Sequence, residues 1–202
     1  MTATELDALA QRKKAIREAA HEARRAQPEK DETSRRILAR LFELPEYQAA
    51  RCVLFYVDVR AEVRTRHDLT VALAHGTKIA VPFCVDDQLE LYHLENMDEL
   101  SIGMYKILEP RADLRTLPAK QVDVRQVDLI VVPGVAFDRR GGRMGHGFGY
   151  YDKLLERARA DAPLVALAFE CQLFPEIPMQ PHDVFMDRVL TEAGVYDGAR
   201  RK

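Results

Sequence analysis

Between residues 127 and 160 an apolar run, a glycine-rich stretch and an amphipathic helix follow one another directly, and this order restricts the fold more than any other feature. Val127-Asp-Leu-Ile-Val-Val132 is nearly continuously apolar, the mark of a strand covered on both faces. Such strands belong to parallel sheets, whose neighbours are joined by crossover connections rather than tight hairpins. The rest of the sequence supplies them. Strand-like runs at 52–57, 78–83, 88–94, 164–169 and 188–191 are interleaved with helical patterns at 4–26, 29–43, 68–74 and 150–160. Pro28 and Pro45 close the first two helices, and Asp86-Asp87 marks a turn. Residues 96–124, with Pro110 and Pro118, read as irregular. The expectation is one α/β domain over residues 1–202, a three-layer Rossmann-like arrangement of a mainly parallel sheet flanked by helices.

Composition removes several kinds of chemistry. The 202 residues carry 30 Lys and Arg against 32 Asp and Glu, a net charge of -2, which excludes the broad basic field of a nucleic-acid wrapper. Cys52, Cys84 and Cys171 stand far apart with no C-x-x-C, so they form neither a disulfide framework nor a thiolate zinc site. That usage fits a reducing compartment, and the expected location is cytoplasmic. The polar N-terminus predicts no signal peptide, and no apolar run is long enough for a membrane span. The two serines, Ser34 and Ser101, lie outside any G-x-S-x-G elbow, and the six histidines make no H-E-x-x-H.

Six of the ten glycines fall between Gly134 and Gly149, within the sequence PGVAFDRRGGRMGHGFGYYD. Glycine lets backbone amides converge on a ligand, and a loop between a buried strand and a helix is where open α/β sheets bind theirs. With Arg139, Arg140 and Arg143 alongside, residues 133–152 read as a phosphate loop rather than a plain surface loop. Its spacing is neither a Walker site nor a dinucleotide fingerprint.

At about 100° per residue, Lys13 falls in the middle of the stripe formed by Leu6, Leu9, Ile16 and Ala20, with Arg17 and Arg24 beside it. A lysine there either snorkels to water or meets an anion. The functional reading of residues 1–27 is a cationic helix folded back over the glycine loop. Three carboxylates are candidates. Glu62 follows a buried strand, where it could accept from ring amines or serve as surface charge. Asp152 lies in the first turn of a helix, where the dipole favours it in any case, and Asp187 is similarly ambiguous. His146 and Phe148 could stack on a ring or brace the loop.

Taken in order, these residues resemble the 5-formyltetrahydrofolate cyclo-ligase family, also called 5,10-methenyltetrahydrofolate synthetases. The resemblance spans nearly the whole chain: Lys13-x-x-x-Arg17, Tyr56, Glu62-Val-x-Thr65, Ile107-Leu-Glu-Pro110, Asp128-Leu-Ile-Val-Val-Pro-Gly134, Phe137-Asp138, Arg143-x-Gly-x-Gly-x-Gly-Tyr-Tyr-Asp152, Ala166-x-Ala-Phe169, His182-Asp183 and Asp187. It implies ATP- and Mg2+-dependent closure of 5-formyltetrahydrofolate, with or without a polyglutamate tail, to the methenyl form, releasing ADP and phosphate. The expected partners include neither nucleic acid nor membrane, and the expected state is a monomer or weak dimer. Carried over by position, ATP contacts are Lys13, Lys14, Ala15, Ile16, Arg17, Arg143, Met144, Gly145, His146, Gly147, Phe148, Gly149, Tyr150 and Tyr151. Lys13, Arg17, Arg143 and Tyr151 carry the catalytic role. Folate contacts are Val57, Glu62, His146, Gly147, Phe148, Gly149 and Tyr150, and the magnesium ligands are Asp152 and Asp187. Phe148 stands where relatives commonly have Gly or Lys, and Lys106 where Gly is frequent. The alternative is a non-catalytic folate-, nucleotide- or RNA-associated paralogue, which would be expected to lose Lys13, Asp152 or the glycine spacing.

Overall fold

The computed structural model describes residues 2–103, 107–181 and 183–199; Lys106 and His182 lie outside them. The chain opens with α1 (Ala3–Ala26), α2 (Lys30–Glu43), α3 (Pro45–Ala49), β1 (Cys52–Leu54), α4 (Arg66–Ala74), β2 (Lys78–Val85) and β3 (Gln88–Leu94). Short strands β4 (Leu100–Ile102), β5 (Leu108–Pro110) and β6 (Gln121–Val122) follow, then β7 (Leu129–Val132), β8 (Ala136–Phe137) and β9 (Arg143–Met144). It ends with α5 (Tyr150–Arg157), β10 (Leu164–Leu167), β11 (Arg188–Leu190) and β12 (Val195–Asp197).

Eight strands form one mixed sheet in the order β12-β11-β10-β7-β1-β2-β3-β6. The interior pairs, β11 with β10, β10 with β7, β7 with β1 and β1 with β2, are parallel, and the outer pairs are antiparallel. Alternation along each interior strand gives both faces an apolar side. Val53, Leu129, Val131 and Val165 meet Ile37, Leu38 and Leu41 of α2, Tyr47 of α3 and Leu69 of α4. Leu54, Ile130, Val132 and Ala166 point the other way, toward Leu154 and Leu155 of α5. This is the three-layer α/β arrangement that the apolar runs require.

Several boundaries differ from the sequence reading, each for a local reason. Pro45 does more than stop α2, because proline is favoured in a first helical turn and here begins α3. The apolar run at 52–57 outlasts β1, although Phe55 N–H still donates to the Ala80 carbonyl at 2.9 Å. α5 ends at Arg157, where Ala158 turns extended, rather than at residue 160. The irregular stretch 96–124 holds three short strands, and β12 pairs with β11 through residues whose exposure hid any strand pattern.

Topology fixes where a ligand can sit. From β1 the chain crosses through α4 to β2 on one side; from β7 it crosses through α5 to β10 and then β11 on the other. The winding therefore reverses between β1 and β7. In open α/β sheets the crevice beyond the carboxyl ends of the strands at such a reversal is the binding site. Helix α1 lies here rather than on a sheet face: Ala20, with Ile16 beside it, packs on Val135, Ala136, Met144 and Ile177.

Candidate active site

A cleft of about 330 Å3 opens at this reversal. The end of β1 contributes Tyr56 and Val57, and the following turn brings Glu62. The end of β7 contributes Pro133 and Gly134, the glycine loop contributes residues 143–149, and α5 opens with Tyr150, Tyr151 and Asp152. Lys13 and Arg17 come from α1, while Phe83, Cys84, Leu108 and Glu109 form the far wall.

The glycine loop is a folded object with its own anchors. Asp138 is buried and its carboxylate accepts from the N–H groups of Arg140 and Gly142, both at 2.9 Å, and of Ile177 at 2.8 Å. β8 and β9 pair as a small hairpin that returns the chain to the cleft. Gly147 (φ +96°) and Gly149 (φ +71°) occupy left-handed conformations that side chains resist, and Gly149 is the residue from which α5 starts.

Cations converge on this loop. Arg17 Nε donates to the Gly145 carbonyl at 3.0 Å. Lys13 Nζ donates to Gln180 Oε1 at 3.2 Å and lies 3.6 Å from Asp183 Oδ2. The Arg143 side chain is only 7% exposed; it donates to the Pro133 carbonyl at 3.3 Å and pairs with Asp152. Burial lowers the Arg143 pKa, so its charge stands in a poorly solvated place. Two buried polar atoms on the cleft wall, Arg143 Nε and the Tyr151 hydroxyl, have no partner among the described residues. An unpaired buried polar group costs about 1–3 kcal/mol, which a bound ligand can offset.

The other end of the cleft is acidic and aromatic. Glu62 is 6% exposed; its Oε2 accepts from Val59 N–H at 3.0 Å, and its Oε1 lies 3.6 Å from His146 Nε2. Tyr56 donates its hydroxyl to the Val63 carbonyl at 3.0 Å. Burial, with Glu62 next, pushes the Tyr56 and Tyr151 phenols upward, so both remain neutral donors at ordinary pH. The arrangement offers an anion cradle and a buried carboxylate within one enclosure.

Of the expected site residues, Lys13, Arg17, Val57, Glu62 and all of 143–152 line this cleft. Four do not line it. Lys14 is exposed and lies 4.0 Å from Glu18, Ala15 is exposed, and Ile16 joins the apolar cluster. The physical reason is the helix, which presents positions four apart, Lys13 and Arg17, to the same side. Asp187 pairs level with Leu164, at the strand-start end of the sheet. Its Oδ2 accepts from Leu164 N–H at 2.8 Å, so it braces β10 against β11 and does not meet Asp152. Arg139 and Arg140 also turn away from the cleft; Arg139 pairs with Glu170 at 3.2 Å and covers the Tyr196 ring.

The donor set bears directly on a metal. Among the described residues no group of three His, Cys, Asp or Glu side chains could hold an ion. Asp152, at the start of α5, is a half-exposed carboxylate directly after the glycine loop. Magnesium takes one or two carboxylates plus substrate phosphates and waters, so Asp152 fits an ion carried in with a nucleotide. Sequence reasoning gave no ligand contact to Glu109 and Asp183, which line the cleft, to Gln180, which meets Lys13, or to Arg24, which it placed only on the cationic stripe of the helix.

The family model for the 5-formyltetrahydrofolate cyclo-ligase family matches residues 9–192. The probable 5-formyltetrahydrofolate cyclo-ligase of Schizosaccharomyces pombe is 33% identical over 175 residues, covering 80% of this chain and 84% of the relative. The 5-formyltetrahydrofolate cyclo-ligase of Escherichia coli K12 is 29% identical, covering 84% and 93%. The solved 5,10-methenyltetrahydrofolate synthetase of Aquifex aeolicus superposes with a TM-score of 0.79 at 28% identity, covering 94% of both chains. The chain belongs to the 5-formyltetrahydrofolate cyclo-ligase family.

Proposed function

We propose that this chain, acting as one cyclo-ligase domain, closes 5-formyltetrahydrofolate to 5,10-methenyltetrahydrofolate at the expense of ATP, releasing ADP and phosphate. The observation that carries the reading is the single enclosure joining a cation-lined glycine loop to a buried carboxylate and two neutral phenols. In the reaction the formyl oxygen attacks the γ-phosphorus and ADP leaves. Folate N10 then adds to the activated formyl carbon and gives up its proton, and the C–O bond breaks to release phosphate. Both nucleophiles belong to the substrate, so the protein's work is positioning and charge stabilisation.

Lys13, Arg17 and Arg143 face the loop where the triphosphate would lie, and the loop amides complete the cradle. Arg143 is the best placed to hold developing charge on the γ-phosphoryl group, because burial leaves it little water to compete. Glu62 accepts from the ring N–H donors of the folate through Oε1, since Oε2 is already satisfied. Bound Mg2+ would neutralise phosphate charge, and Asp152 is the residue that would hold it. Lys13, Asp152 and the glycine spacing, the features a non-catalytic paralogue would lose, are all present. The three free thiols, two of them exposed, fit action in a reducing compartment such as the cytoplasm.

The direct test mixes the protein with 5-formyltetrahydrofolate and follows the near-ultraviolet absorbance of the methenyl product together with phosphate release. Both signals should rise in equal amounts, and only with ATP and Mg2+ present. Absence of ATP-dependent product from well-folded protein would exclude the reading.

A further inference from the structure

Behind the folate end of the cleft lies an arginine that the reaction does not touch. Arg24, on the last turns of α1, is 2% exposed, which is rare for an arginine without a carboxylate in direct contact. Its Nη1 donates to the Gly134 carbonyl at 3.3 Å, at the point where β7 gives way to the glycine loop. Its Nη2 lies 3.5 Å from His21 Nδ1, and its Nε has no partner among the described residues. The His21 ring packs against the His146 ring, with centroids 5.4 Å apart, and His146 Nε2 reaches within 3.6 Å of Glu62 Oε1. A continuous path of contacts thus runs from the buried cation to the buried carboxylate.

Glu62 needs such a partner. No lysine or arginine nitrogen lies within 4.0 Å of it among the described residues; the one ion-pair neighbour there is the histidine His146. At 6% exposure the carboxylate has little water to hold it, so the groups packed around it set its place. We propose that Arg24 is a positioning residue for the folate half of the site: it fixes the first carbonyl of the glycine loop and, through His21 and His146, holds the Glu62 carboxylate in place for the folate ring. The proposal rests on the cyclo-ligase reading and deepens it, by assigning the support of the folate contact to a residue outside the substrate's reach.

The surroundings of Glu62 are consistent with this role. Arg24 acts on it from α1, Tyr56 from the end of β1, His146 from the glycine loop and Tyr151 from α5, while His21 and Arg60 lie beside Arg24. The two phenols are neutral, and His21 is pushed below its ordinary pKa, first by burial and then by Arg24. Arg24 is therefore the one permanent buried cation of the set. Burial lowers its own pKa, while Glu62 is the leading influence in the opposite direction.

The test compares Arg24→Met, Arg24→Lys and the double variant Arg24→Met/Glu62→Gln, with kcat and the KM for each substrate. Wild-type turnover tests the cyclo-ligase reading by itself; ratios between variants test Arg24. The proposal expects Arg24→Met to raise folate KM by about tenfold, with ATP KM and kcat changing by less than about twofold. Arg24→Lys should restore most of the loss, and in the Glu62→Gln background Arg24→Met should add nothing to folate KM. Equal losses for the two substrates, or full additivity with Glu62→Gln, would overturn it. If Arg24→Met does not fold, Arg24→Lys decides: near-wild-type folate KM supports the role, and a folded lysine variant as impaired as Glu62→Gln overturns it.

Discussion

Replacing Lys13 by alanine isolates the nucleotide half of the site. The side chain is 19% exposed, its Nζ held 3.2 Å from Gln180 Oε1 and 3.6 Å from Asp183 Oδ2 at the edge of the cleft. Both neighbours stay partly hydrated, so losing the pair costs the fold no more than about 1 kcal/mol. Toward a phosphate the same ammonium makes a charge-assisted contact worth about 1.5–3 kcal/mol. At about 1.4 kcal/mol per decade, kcat/KM for ATP should fall roughly 10- to 150-fold. Folate KM should barely move, because Glu62 and Val57 lie at the other end of the enclosure. The assay is initial rate of methenyl product at varied ATP with saturating folate, then the reverse, with thermal melting to confirm folding. Unchanged ATP kinetics in a folded variant would refute the reasoning and leave Lys13 as a snorkelling residue. An equal loss for both substrates would refute the division of the cleft.

Glu62→Gln should weaken binding of a folate analogue while leaving nucleotide titration unchanged, since an amide presents a donor where the ring needs an acceptor; equal weakening of both would make Glu62 structural. Asp152→Asn should raise the magnesium concentration for half-maximal rate. Asp187→Asn should not; it should instead lower the melting temperature by about 2–4 °C, as expected for about 1 kcal/mol lost from the brace to Leu164 in a chain of this size. His21 titrates below its ordinary value of 6.5 in the fold, so below that pH the unfolded chain binds the extra proton and stability declines as pH falls. Replacing His21 by Asn should flatten the fall in melting temperature just below pH 6.5, and an unchanged slope would assign the decline elsewhere.

The layers of the fold were readable because burial on both sheet faces leaves continuous apolar runs, as in 129–132 and 164–167, and crossover helices leave their own period. The short strands were not. β4, β5, β6 and β12 contain two or three residues each, with mixed exposure, and such segments pair because the sheet edge is there to receive them. No local pattern encodes that. The order of strands was equally silent in the sequence, and with it the reversal between β1 and β7 that locates the cleft.

For the site, the helical wheel carried further than the motif. A motif names a contiguous stretch, Lys13 to Arg17, but a helix cannot turn five successive residues toward one ligand. The wheel selects Lys13, Arg17 and Arg24, and these three side chains reach Gln180, the Gly145 carbonyl and the Gly134 carbonyl. What no wheel supplies is the opposite wall. Asp187 shows the same limit from the other side: a carboxylate 35 residues beyond Asp152 could meet it only if β11 ran the other way. Because β10 and β11 are parallel and Asp187 precedes β11, its carboxylate is committed to the strand-start end, a full strand length from the cleft. Arg24 sits at the boundary between the two cases. Its direction was legible as part of a cationic stripe, yet its buried charge acquires meaning only through Glu62, which another element brings within reach.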